Sequence, residues 1–208
     1  MIDRGNLYII AAPSGTGKTT LVEALIDSSA KICVSISHTT RPKRPNEVHG
    51  INYYFTTLDE FNQMVDRDEF LEHAVIFDHH YGTSKLMVEE TLAKGIDVIL
   101  EIDWQGHQQI KRLFPDAIGI FILPPSMTDL RDRLTKRNQD DPKIIQKRLA
   151  DVKEAVSHIH EFHYVVMNDD FATALQDLQT IIQAGRLLTP HQIIKFSNLI
   201  NNLSSIVS

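Results

Sequence analysis

Cysteine is almost missing from this sequence: Cys33 is the only one in 208 residues. An internal disulfide is thereby excluded, and a reducing compartment fits. Cys33 itself lies in the apolar run Ile32-Cys33-Val34, where a buried structural thiol is expected. Long apolar runs are lacking too. No stretch of about 18 apolar residues occurs and the start carries no basic-then-apolar leader, so a cytoplasmic protein without a membrane span is expected. Positive charge is scarce, with 21 Lys and Arg against 27 Asp and Glu and a formal net charge of −6. That balance argues against a broad surface for nucleic acid or anionic membrane. Internal repeats and low-complexity segments are also absent. What remains is ordinary for a globular chain, 42% hydrophobic and 23% charged. The length suits one domain with a real core and room for a small inserted subdomain.

The most informative stretch is Ala12-Pro13-Ser14-Gly15-Thr16-Gly17-Lys18-Thr19. It follows the apolar run Leu7-Tyr8-Ile9-Ile10-Ala11, which reads as a buried first strand. A helical pattern with Leu21, Val22, Leu25 and Ile26 on one face comes next. Strand, glycine-containing loop and helix form the context of a phosphate-binding loop. Backbone N–H groups of such a turn point inward, and the free N–H groups of the helix start add partial positive charge. Gly15 and Gly17 permit backbone angles that a Cβ would block. Lys18 then reaches the β and γ phosphates, and the Thr19 hydroxyl is placed to ligate Mg²⁺. The strict pattern opens on Gly where this chain has Ala12. A chance glycine turn is the bland alternative, and Gly-Lys-Thr in this context argues against it. A nucleoside triphosphate site is expected.

Beyond that helix, 32–37 alternates like a strand. The segment 38–47 carries Pro42 and Pro45 and is expected to be an exposed, stiffened loop. Its cations Arg41, Lys43 and Arg44 read either as a solvated face or, on an acidic chain, as a second phosphate site. The guanidinium fork of Arg41 and Arg44 suits bidentate phosphate contact. Strand character resumes over 50–55. Thr57-Leu58-Asp59-Glu60 reads as a capping box opening a short helix. The strand expected at 70–77 sets Glu72 among apolar neighbours, where a carboxylate needs a partner. Arg67 and a solvent-facing position are the two readings the residues leave open. A helix over 85–94 closes at Gly95.

Residues 97–103 read as a buried parallel strand ending in Glu101 and Asp103, two acids on one side of the strand. Glu101 is suited to act on a metal through water. Trp104 reads as packing. A helix is expected over 105–114 and a strand over 117–123. A helix opened by Ser126 runs to about 137, breaks at 138–142, and gives way to another. Arg133, Arg137 and Arg148 array along this pair, as a lid closing over a nucleotide requires. His158, His160 and His163 fit no metal-ligand spacing and are expected to be solvated. The last strand is 164–167, followed by Asn168 and Asp169. After Pro190 the residues Ile193, Ile194, Phe196, Ile200 and Leu203 recur at helical spacing, with no charge between Phe196 and Ser208.

Together these motifs resemble the guanylate kinase family. The run Thr39-Thr40-Arg41 with Arg44, Glu47, Gly50, Tyr53 and Phe55 carries the resemblance. It continues through Phe70-Leu71-Glu72-His73-Ala74, Tyr81-Gly82-Thr83-Ser84, Glu101-Ile102-Asp103-Trp104-Gln105-Gly106, Leu123-Pro124-Pro125-Ser126 and Val166-Met167-Asn168-Asp169-Asp170, covering roughly 5–185. His79-His80 and Asn138 depart from the pattern. The implied fold is α/β, a P-loop three-layer fold with a parallel sheet core. The core spans 5–36 and 88–185, with a GMP-binding insertion near 37–87, a helical lid near 126–155 and a tail over 186–208.

The implied reaction is transfer of the ATP γ-phosphoryl group to GMP, with Mg²⁺. The resemblance assigns 12–19 and Asn168 to ATP, and Lys18, Arg41, Arg137 and Arg148 to catalysis. It gives Ser37, Arg41, Arg44, Tyr53, Glu72, Tyr81, Thr83 and Asp103 to GMP, and Thr19 with Glu101 to the metal. Glu72 meets the guanine base in this reading. Two rivals are a guanylate-kinase-like binding module without catalysis, against which Lys18-Thr19 stand, and a kinase for another nucleoside monophosphate, against which Glu72 with Thr83 stand. The apolar tail points to self-association.

Overall fold

The computed structural model describes residues 4–136 and 142–205. The chain runs β1 (Leu7–Ala11), α1 (Lys18–Asp27), β2 (Ile32–Val34), β3 (His38–Thr39), β4 (Tyr54–Phe55) and α2 (Leu58–Asp66). It continues with β5 (Phe70–Ile76), β6 (His79–Ser84), α3 (Lys85–Ala93), β7 (Asp97–Glu101), α4 (Trp104–Leu113) and β8 (Ile118–Leu123). Then come α5 (Met127–Lys136), α6 (Pro142–Ser157), a 3₁₀ turn (Ile159–Glu161), β9 (Tyr164–Met167), α7 (Phe171–Gly185), α8 (Thr189–Lys195) and α9 (Ser197–Ser205).

All five residues of β1 are buried, as a parallel strand covered on both faces must be. It lies at the centre of a five-stranded sheet ordered β2-β7-β1-β8-β9, with every pairing parallel. Its side chains alternate between two cores. Tyr8 and Ile10 join Leu21, Val22 and Leu25 of α1 and Leu178, Ile181 and Ile182 of α7. Leu7 and Ile9 join Val88 and Leu92 of α3 and Ile110 of α4 on the other side. The result is three layers, helix, sheet, helix. Each buried Leu, Ile or Val contributes about 1.5–3 kcal/mol relative to exposure, so these two apolar layers hold the sheet. Half-buried Cys33 packs against the second core, and burial raises its thiol pKa.

A second, four-stranded sheet is ordered β4-β3-β6-β5, and Leu71 of β5 joins it to the second core. Here the structure departs from expectation in several places. The segment 32–37 is not one strand: β2 ends at Val34, and after the Ser35 N–H bonds the Ile99 carbonyl the chain leaves the first sheet for β3 in the second. The loop expected from residue 38 therefore begins after Thr39. Only Tyr54–Phe55 of 50–55 is strand, because a turn at Gly50 (φ +79°) occupies the residues before it. β6 was not foreseen, since His79–Ser84 is polar and lacks alternation. It is the return limb of a hairpin with β5. Phe77 and Asp78 turn it with φ of 49° and 66°, the two positive values of a tight hairpin turn. The Thr57 capping box forms in both directions, with Glu60 as its partner. Pro190 starts α8 rather than ending a helix. Among the described residues no helix is long and apolar enough to cross a membrane.

Candidate active site

The site lies at the carboxyl end of the parallel sheet and is assembled from four pieces. The first is the loop joining β1 to α1. Gly15 and Gly17 hold φ near +90°, so the loop needs glycine at both. Both are also pressed from outside. A Cβ on Gly15 would lie 2.9 Å from a Leu134 methyl, and one on Gly17 would lie 2.7 Å from Asn168 Nδ2. Thr16 is buried and its hydroxyl donates to the Pro13 carbonyl (3.1 Å), closing the turn from within. The Thr16 carbonyl accepts from Asn168 Nδ2 (2.6 Å) and from Arg133 (3.1 Å). Arg133 also donates to the Asn168 carbonyl (3.3 Å), so α5 and the segment after β9 lock the loop together. A cavity of about 460 Å³ opens beside it, lined by Gly15, Gly17, Thr20, Arg133, Asn168 and Phe171.

Lys18 begins α1. Desolvation pulls its pKa below the ordinary value, while the nearby Glu101 and Asp103 oppose that shift. The Thr19 hydroxyl donates to Glu101 Oε2 at 3.2 Å, joining the loop to the last residue of β7. β7 stops at Glu101, so Asp103 does not continue the strand as expected. It is instead the N-cap of α4, where its Oδ1 accepts from the Gly106 N–H at 3.0 Å. The helix starts there because a cap with an accepting carboxylate satisfies an otherwise unpaired donor.

The third piece is the second sheet. Glu72 in β5 is 4% exposed, and its Oε1 accepts from the Thr83 hydroxyl of β6 at 2.5 Å. Its partner is thus neither Arg67, which pairs with Glu69, nor solvent. Burial pushes the Glu72 carboxyl up to about 7, against the pull of the Thr83 hydrogen bond and with the Asp103 charge adding to the rise. Gly106 sits directly behind it, where a Cβ would come within 2.8 Å of Glu72 Oε2.

The fourth piece is the proline-stiffened loop. Arg41 forms an ion pair with Glu47 at 2.6 Å and lies over the rings of Tyr53 and Phe55. Against the upward push of burial, the Arg41 hydrogen bond and the Arg44 backbone N–H hold the Glu47 carboxyl below its ordinary value. Tyr53 packs edge-on to Tyr81, and burial pushes its hydroxyl up to about 12. Ser37 precedes β3, and its carbonyl accepts from the Tyr54 N–H.

The chain end of β7 therefore gathers the expected residues. Lys18 feels both Glu101 and Asp103, Glu72 feels Asp103, and Tyr53 feels Glu101. Arg44 is tied in through its backbone, its N–H donating to the Glu47 carboxylate and its carbonyl accepting from the Glu47 N–H. Arg137 and the side chain of Arg148 lie outside the described residues. Three participants were missed. Glu47 was signalled by its place six residues after Arg41 in a loop too stiff to separate them. Gly106 appeared only as the last residue of a motif that carries the resemblance, with no role of its own, and Arg133 stood out only as one arginine among three. One histidine differs from expectation: His158 is half-buried and stacks on Trp104. His160 and His163 are exposed as expected, although His163 Nδ1 also accepts from the Gly119 N–H at 2.9 Å.

Comparison with known proteins agrees with this arrangement. The family model described as guanylate kinase matches residues 4–185. A guanylate kinase of Saccharophagus degradans is 53% identical over 205 residues, covering 99% of this chain and 100% of its own. One from Coxiella burnetii is 52% identical over 202 residues, 97% of this chain and 98% of its own. The crystal structure of guanylate kinase from Anaplasma phagocytophilum superposes with a TM-score of 0.77 at 30% identity, over 90% of this chain and 89% of that one.

Proposed function

The chain belongs to the guanylate kinase family, and from that premise we propose that it transfers the γ-phosphoryl group of ATP to GMP, giving ADP and GDP. The observation that carries this reading is the meeting, at the end of β7, of a phosphate loop with a buried carboxylate suited to guanine. Guanine presents N1–H and an exocyclic amino group on one edge, and a carboxylate accepts both. Adenine offers no N1–H and no 2-amino group, so it would leave the buried Glu72 carboxylate without the donors that guanine supplies. Polar sites of this kind reject the wrong ligand by about ten-thousandfold.

In this reading residues 12–19 and Asn168 bind ATP, and Ser37, Arg41, Arg44, Tyr53, Glu72, Tyr81, Thr83 and Asp103 bind GMP. The Thr83 hydroxyl donates to Glu72, so it turns toward the base only when Glu72 engages guanine. Arg41 likewise exchanges Glu47 for the GMP phosphate. The attacking phosphate oxygen is anionic near neutral pH, so no general base is needed. Catalysis is positioning plus shielding of two highly charged phosphates by Lys18, Arg41, Arg137 and Arg148. The Thr19 hydroxyl and the Glu101 carboxylate are hard oxygen donors of the kind Mg²⁺ takes, and the ion would neutralise phosphate charge there. We assign 37–87 to the GMP-binding insertion, 126–155 to a lid that excludes water, and 186–208 to a tail. dGMP is expected to serve beside GMP. A cytoplasmic place fits the single, free thiol.

The test is a coupled assay of ADP release with ATP against GMP, AMP, CMP and UMP in parallel. Turnover is expected with GMP alone; equal use of AMP would remove Glu72 as the selector. The tail adds a second proposal. Ile193, Phe196, Ile200 and Leu203 on α8 and α9 are exposed in the single chain, an apolar stripe that suits a second copy. Light scattering is expected to give an oligomer for the full chain and a monomer for a chain ending at Thr189. An unchanged number of subunits, or a monomer at full length, refutes self-association.

A further inference from the structure

The first turn of α4 touches two parts of the molecule at once. On one side, Gly106 lets the helix approach the Glu72 carboxylate so closely that a Cβ would sit 2.8 Å from Oε2. Trp104, two residues earlier and so on the opposite side of the helix, stacks on His158 with ring centroids 3.7 Å apart and planes 6° from parallel. His158 directly follows α6. Its ring is fixed from both nitrogens: Nδ1 lies 2.6 Å from Glu161, and Nε2 3.7 Å from Glu154 on α6 itself. Gln108, one turn along α4 from Trp104, donates from Nε2 to both Glu161 oxygens at 3.0 Å. The next residues hold the same seam. Phe162 stacks on buried His107 of α4 at 4.0 Å, and His163 accepts from the Gly119 backbone. The foot of α6 is thus clasped to α4 by aromatic stacking and charge-assisted hydrogen bonds together.

We propose that Trp104 and His158 are positioning residues for phosphoryl transfer, anchoring the foot of α6 to the helical turn that abuts the guanine carboxylate. The proposal rests on the guanylate kinase reading above, in which α6 is the arm that carries Arg148 to the phosphates. Because both substrates' contacts hang from one turn of α4, the arm swings from a foot already registered to the bound guanine. Misplacing such an arm by about 1 Å costs up to a hundredfold in rate while leaving substrate affinity largely alone.

The test is steady-state kinetics of the full chain with His158→Ala, His158→Phe and, as a control, His160→Ala, whose ring is exposed. His158→Ala is expected to lower kcat about tenfold with KM for GMP and ATP within about twofold. His158→Phe keeps a stacking ring and recovers most of that loss, and His160→Ala matches wild type. Trp104 is the only tryptophan, so its emission reports the stack directly. Adding the unreactive pair ADP and GMP is expected to shift emission in wild type and not in His158→Ala. A folded His158→Ala enzyme with wild-type kcat, a loss confined to KM, or an emission unmoved by the pair in wild type overturns the proposal. Should His158→Ala fail to fold, Trp104→Phe is judged by the same split between kcat and KM. Wild-type turnover of GMP in the same assay separates the two readings: its absence condemns the functional reading and this proposal together, while its presence beside an unimpaired His158→Ala condemns this proposal alone.

Discussion

The two sheets of this protein solve recognition in opposite ways. At the end of the parallel sheet, the phosphate loop offers backbone N–H groups and one lysine, set by two glycines with φ near +90° and pinned by Asn168 and Arg133. At the smaller sheet, the buried residues include the polar Thr39, Glu72, Thr83 and Ser84. In the proposed reading, side chains there recognise the base. The first device is insensitive to most side-chain changes and to pH near neutrality, because backbone amides neither titrate nor rotate away. The second rests on one carboxyl whose charge is costly to bury. Affinity for phosphate is therefore robust and generic, while selection of guanine is exposed to single substitutions and to protons.

The largest break in that contrast comes from the one side chain the phosphate loop does depend on. Lys18→Met should leave the fold intact and lower kcat by about a hundredfold or more, since it removes a main stabiliser of charge in the transition state. Circular dichroism and the ADP-release assay check this; a folded variant with near-normal kcat removes Lys18 from the mechanism. Glu72→Gln should act on the other sheet alone. It loses an acceptor and gains a misplaced donor, so kcat/KM for GMP should fall by more than about tenfold while ATP affinity is nearly unchanged.

Acid should sharpen the same difference. Burial raises the Glu72 carboxyl to about 7, so below that pH Glu72 is mostly neutral and has lost an acceptor for guanine. The ratio of wild-type to Glu72→Gln kcat/KM should fall by about tenfold per pH unit below 7, a comparison that cancels the titration of the GMP phosphate. Stability moves the other way. An acid with a raised pKa favours the fold fully below its ordinary value and loses that contribution as pH rises toward 7. Wild type should therefore lose Tm relative to Glu72→Gln between about pH 4.5 and 7. A ratio that stays flat from pH 5.5 to 8 would mean that Glu72 is not the group that reads the base.

The same contrast decides what the sequence revealed. The phosphate loop was legible because its requirements are local: a strand of apolar residues, two glycines, then Lys18 and Thr19 at a helix start. The three layers were legible only through the family resemblance; the residues themselves showed the apolar run of β1 and the one-sided apolar stripe of α1. The smaller sheet was legible only in part. β5 announced itself, but β6 is polar and exists because β5 pairs with it, a cause that lies outside its own residues. The acceptance of the Thr83 hydroxyl by Glu72, the Arg41–Glu47 pair and the Trp104–His158 stack are likewise products of folding rather than of spacing. Asp103 went astray for a subtler reason. A strand ending in alternating acids and a strand followed by a capping acid share the same residue order, and only the backbone distinguishes them.

The smallest expected effect is also the cleanest separation of fold from function. Gly106 lies inside α4, where Ala is ordinarily favoured over Gly by about 1 kcal/mol. By propensity alone, Gly106→Ala should raise stability. The space around it says otherwise for the site, since the new Cβ would lie 2.8 Å from Glu72 Oε2 and 3.0 Å from an Ile102 methyl. Of these, the carboxylate is the easier to displace, because the Ile102 side chain is packed in the core and Glu72 is held on its far side by Thr83, through its hydroxyl and its backbone. Relief should therefore come by pushing the carboxylate toward the space where guanine binds. KM for GMP should rise by about three- to tenfold, with kcat and KM for ATP little changed and Tm within a few degrees of wild type. A variant with normal KM for GMP would show that the helix, not the carboxylate, had moved. One with a sharply lower Tm would mean that Ile102 had yielded first, and that the glycine serves the core before it serves the base.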